Sequence, residues 1–132
     1  MKRSIQLTYL KNYINSIIVA SLIAYGSLAS GENIPETRIL NWEHADKLVH
    51  ALMYMVLALV LTAANTRLLK KYSLLYAIVI SIIYGGIMEI LQFTLTQTRH
   101  AEFWDMGANA LGAIIGSFLY LLLKKSKYAT YL

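Results

Sequence analysis

The sequence predicts an all-α integral membrane protein, an up-down antiparallel four-helix bundle with both termini in the cytoplasm. Composition is the first observation behind this. The chain is 58% hydrophobic and 14% charged, with a mean hydropathy of +0.52, whereas a soluble domain is about a quarter charged. The second is a set of four stretches free of acids, bases and histidines: 13–30, 53–64 with Leu48 and Val49 just before it, 72–88 and 106–123. Each approaches the ~17 to 25 residues a helix needs to cross hydrocarbon, and a soluble bundle made of them would have too little polar surface to face water. The third is charge placement. Lys2, Arg3 and Lys11 precede the first stretch, Arg67, Lys70 and Lys71 separate the second from the third, and Lys124, Lys125 and Lys127 follow the fourth. Basic flanks stay cytoplasmic. One membrane domain over residues 1–132 follows, with spans at about 13–30, 47–64, 72–93 and 105–123.

The net charge of +5 is therefore a topology signal. It suits anionic lipid headgroups better than nucleic acid, and no nucleic-acid partner is expected. All acids and histidines fall on the opposite, outer side or at its edge. The chain has no cysteine, which excludes disulfides, thiol nucleophiles and cysteine metal sites. The expected location is the bacterial cytoplasmic membrane, crossed several times.

In order, the first span follows a basic segment and ends in small residues, among them Ser27 and Ala29. That pattern also fits a cleavable signal peptide, but a retained helix is the expectation. Its Asn12, Ser16, Ala20, Ala24 and Ser27 form a small, polar stripe of the kind helices pack on. The first outer loop, 31–46, holds the only proline, Pro35, and Trp42, an interfacial residue type. Asp46 opens the second helix as a cap, with His50 one turn deeper on the same face and Tyr54 continuing the line. On the third helix Ser81, Gly85, Glu89 and Gln92 share a face. The fourth begins after Phe103 and Trp104, which suit an interface, and Asp105, Asn109, Gly112 and Gly116 share its face.

With a rise of about 1.5 Å per residue, Glu89, His50 and Asn109 fall at similar heights near the outer boundary. Asp46, His50, Glu89, Gln92, Asp105 and Asn109 can then form one polar cluster, with Arg99 and His100 above it from the second outer loop. Each has a plainer role. Asp46 and Asp105 can cap helices, His50 can pair with Asp46 or reach toward the interface, and Gln92 and Asn109 can join helices. Glu89 is harder to dismiss, because a carboxylate inside a span costs about 2.5–3.5 kcal/mol unless partnered. Arg99 is its expected partner and a residue suited to gripping phosphate or carboxylate.

These residues carry a resemblance. D-K-x-x-H at Asp46 to His50, E-x-x-Q at Glu89 to Gln92, and R-x-x-x-x-x-D-x-x-x-N-x-x-G from Arg99 to Gly112 resemble the motif set of the VanZ-like family, over about residues 46–123. The family often has Pro and Gly just before the Arg and small polar residues after it. Here Gln97 and Thr98 precede it, and His100, Ala101 and Glu102 follow. The resemblance implies a small bacterial membrane protein. The family's founding member is associated with teicoplanin resistance by an unsettled mechanism.

Two functions fit. In the first, Arg99, Asp46, His50, Glu89, Gln92, Asp105 and Asn109 bind an anionic envelope ligand, a lipid headgroup or lipid-linked cell-wall precursor. In the alternative, the protein is a membrane-surface enzyme that hydrolyses or transfers a phosphorylated or acylated lipid group. Glu89 or His50 would be general base, Asp105 or Asp46 would orient the imidazole, and Arg99 would stabilise negative charge. Carboxylates and imidazole are also divalent-metal ligand types. No nucleophile motif or metal spacing such as H-E-x-x-H is present, so no metal or cofactor is expected. Gly85, Gly86, Gly112 and Gly116 form seams that permit a homo-oligomer.

Overall fold

The computed structural model describes residues 2–29, 45–69, 71–95 and 103–124, with side chains from residue 10 onward in the first helix. These form four helices: α1 (Lys2–Leu28), α2 (Ala45–Leu68), α3 (Ser73–Leu95) and α4 (Phe103–Leu123). Among the described residues there is no strand. Three helices, α2, α3 and α4, are long and apolar enough to cross a membrane. In α1 the same apolar run is preceded by Lys2, Arg3, Lys11 and Asn12 within one continuous helix. The expected span at 13–30 is thus the C-terminal part of a longer element.

Many large apolar side chains point outward, while the buried faces of α3 and α4 are mostly small or polar. Leu22, Ile83, Ile90, Leu111, Phe118 and Leu122 are exposed. The buried face of α3 carries Ser73, Ala77, Ser81, Gly85, Met88, Glu89 and Gln92, and that of α4 Asp105, Asn109, Gly112, Ala113, Gly116, Ser117 and Tyr120. Such a distribution suits hydrocarbon as solvent, where large apolar groups gain nothing by burial and close packing of small ones joins helices.

α2 is the central helix. In its most apolar stretch 61% is buried, against 28% in α3 and 33% in α4, and α1, α3 and α4 all pack on it. Its contact with α4 is set by two glycines. A methyl group at Gly112 would collide with the Ala51 carbonyl, and one at Gly116 with the Met55 carbonyl. Only glycine allows the backbones this close.

Polar groups tie the rest together. Thr62 donates to Ser117 on α4 at 3.1 Å. The Tyr13 hydroxyl on α1 donates to Asn65 Oδ1 at 2.7 Å, and Asn65 Nδ2 donates to the Ser73 carbonyl at 3.2 Å. Tyr84 on α3 donates to the Ala20 carbonyl of α1 at 2.6 Å. Within a membrane such bonds replace the water that is absent. The expected packing stripe on α1 is buried at Ser16 and Ser27 and half-buried at Asn12, Ala20 and Ala24.

Candidate functional site

The first turns of α2 and α4 and the last turns of α3 meet in a polar cluster. His50 lies five residues into α2, Asn109 six into α4 and Glu89 six before the end of α3. At about 1.5 Å per residue, all three are roughly 8–9 Å from their helix ends. Exposure is 4% for His50, 4% for Glu89 and 2% for Asn109, so three polar residues from three helices are buried together.

His50 is the hub. Its Nδ1 lies 3.1 Å from Asn109 Oδ1 and 3.5 Å from Glu89 Oε1. The tautomer with hydrogen on Nδ1 lets the ring donate to Asn109 Oδ1. On the other side of the ring, Nε2 is 3.8 Å from Asp46 Oδ1, beyond hydrogen-bond distance. The i,i+4 spacing of Asp46 and His50 stacks them on one helix face. Asp105 is buried on α4, and its Oδ1 lies 3.9 Å from Lys47 Nζ.

Beneath the hub, Tyr54 is 1% exposed and its ring centroid lies 6.4 Å from that of Tyr84. Gly85 makes room for Asn109 and Tyr54: an added Cβ would press on Asn109 Nδ2 at 3.0 Å and on Tyr54 at 3.2 Å. Asn109 Nδ2 is buried without a hydrogen-bond partner, which leaves a donor unspent in a region where unmade bonds cost about 1–3 kcal/mol.

Of the residues singled out by sequence, His50, Glu89 and Asn109 are in direct contact, with Asp46 at the ring's other edge. Asp46 and Asp105 both lie in the first turn of their helices, where the macrodipole favours a carboxylate. Gln92 reaches α1, donating from Nε2 to the Ser27 carbonyl at 2.9 Å. Arg99, His100, Trp42 and Pro35 lie outside the described residues. Phe103 and Trp104 are exposed at the start of α4, as an interfacial pair would be. Two of the glycines in the expected seams, Gly112 and Gly116, pack inside the chain against α2, whereas Gly86 meets nothing within 4 Å.

Sequence reasoning missed Lys47, although it is the K of D-K-x-x-H. It also passed over the network of Tyr13, Thr62, Asn65 and Ser117. Thr62, Asn65 and Thr66 recur at spacings of three and one inside an uncharged run, and that recurrence was the available signal.

A family model described as VanZ/LLP1 matches residues 2–124, which takes in α1 as well as the motif-bearing helices. No curated protein and no solved structure matches the chain.

Proposed function

The chain belongs to the VanZ/LLP1 family, and from that premise we propose that its polar cluster is an outer-face site for an anionic envelope ligand, a lipid headgroup or a lipid-linked cell-wall precursor. One observation carries this: His50, Glu89 and Asn109 converge from three helices, each more than nine-tenths buried. Polar and ionisable groups inside a membrane protein are costly, and they mark ligand or ion sites by default. The unspent Asn109 Nδ2 supplies a donor. Lys47 and Arg99, four positions beyond the end of α3, supply positive charge, and Arg is suited to a bidentate phosphate contact.

The accompanying topology is four spans, up and down, in the bacterial cytoplasmic membrane, with α1 as the first span and both termini cytoplasmic. The basic segments before α1, between α2 and α3, and after α4 support that orientation. It places the cluster at the outer mouth.

A link to glycopeptide resistance is tested in a teicoplanin-sensitive Gram-positive host. Wild type should raise the tolerated concentration, and Glu89→Gln and Arg99→Ala should lose the effect at matched membrane levels. Equal protection by all three would remove the cluster from the function. No protection by wild type would remove the resistance link and leave ligand binding to be judged by the lipids that co-purify.

A further inference from the structure

We propose that Asp46, His50 and Asp105 form a binding site for a divalent transition-metal cation of the Zn²⁺ or Mn²⁺ type. One carboxylate oxygen from each aspartate and one imidazole nitrogen lie within 4.8 Å of one another. Two aspartates alone would be ordinary helix-start residues. The imidazole changes this. His50 is 4% exposed, and its Nδ1 is engaged by Asn109 Oδ1 at 3.1 Å, with Glu89 Oε1 at 3.5 Å. Its Nε2 has no hydrogen bond and faces Asp46 Oδ1 at 3.8 Å.

That is how proteins prepare a metal-binding histidine. One ring nitrogen donates to a carboxylate or carbonyl oxygen, which fixes the tautomer and ring plane and turns the other lone pair toward the ion. Asn109 and Glu89 stand where such supporting groups stand. The donor set also indicates the ion. One imidazole with two carboxylates suits Zn²⁺, Mn²⁺ and their neighbours, whereas Mg²⁺ and Ca²⁺ prefer oxygen alone.

The fit requires modest closure. Donors bound tetrahedrally at about 2.0–2.1 Å are roughly 3.4 Å apart, so a pair at the 4.8 Å limit must approach by about 1.4 Å. Asp46 can supply the movement, because its side chain is 55% exposed. The same exposure gives the ion an entry path. Lys47 Nζ, 3.9 Å from Asp105 Oδ1, is a competing cation that metal would displace. Three protein donors leave a coordination position open. The site does not depend on the envelope-ligand reading, and it is probed with metal alone.

The test uses the full chain in lipid nanodiscs, stripped with EDTA and desalted, then titrated with Zn²⁺ and, separately, Mn²⁺. Binding of one ion per chain is expected, with ¹⁴N coupling in the electron spin echo of bound Mn²⁺ reporting imidazole coordination. Asp46→Asn, Asp105→Asn and His50→Ala should each weaken binding at least tenfold. Glu89→Gln should weaken it by about tenfold by removing the carboxylate charge 3.5 Å from Nδ1, and Lys47→Gln should tighten it. No bound ion, bound Mn²⁺ without ¹⁴N coupling, or equal affinity in wild type and Asp105→Asn would each overturn the site. Because the coupling is read on wild type, the result stands even if His50→Ala fails to fold.

Discussion

His50 and Asn109, 59 positions apart in sequence, meet at 3.1 Å through Nδ1 and Oδ1, and that contact joins the first turns of α2 and α4 over the glycine seam. Replacing Asn109 with Ala removes the acceptor and leaves a buried ring N–H unsatisfied, at a cost of about 1–3 kcal/mol. Asn109→Asp keeps an acceptor in place and should retain more stability than Asn109→Ala. Thermal unfolding in a single detergent, followed by helical circular dichroism, measures both. Equal melting of Ala and Asp variants would mean that the contact contributes nothing.

The seam gives a second prediction with internal controls. Gly112→Ala and Gly116→Ala drive a methyl into the backbone of α2, and overpacking of this kind costs about 1–3 kcal/mol. Gly86→Ala and Gly107→Ala meet nothing within 4 Å and gain up to about 1 kcal/mol in helix propensity. The four variants should therefore split into two destabilised and two neutral or stabilised, as read by melting temperature. A uniform response would contradict the close approach of α2 and α4.

Much of this was legible beforehand. The helices followed from uncharged runs, and the buried faces of α3 and α4 from spacings of three and four residues. Glu89 stood out because a carboxylate in such a run needs a reason. Other features depend on pairings that spacing cannot encode. The partners of Gly112 and Gly116 are backbone carbonyls of α2, which carry no sequence signature. Lys47 has a long, flexible side chain whose direction is set by Asp105 on another helix. The early start of α1 was hidden because Lys2, Arg3 and Lys11 read as a basic flank before a span, although Lys and Arg are good helix formers.

The tie between α1 and the rest supplies a third prediction. Asn65 is 1% exposed and links Tyr13 of α1 to the first residue of α3. Tyr13→Phe should cost about 0.5–1.5 kcal/mol, and Asn65→Ala more, because it removes both hydrogen bonds. In a double-mutant cycle the pair should couple by at least about 0.5 kcal/mol. Strict additivity of the two substitutions would show that α1 is held by other contacts.

The central claim is that the buried cluster is there to bind an anionic ligand of the envelope. Native mass spectrometry of wild type, Arg99→Ala and Glu89→Gln, purified identically from bacterial membranes, addresses it most directly. Wild type should carry a bound anionic lipid or lipid-linked precursor that both variants lose while remaining folded. An identical lipid complement in all three folded proteins would contradict the claim and leave the cluster as a structural joint between α2, α3 and α4.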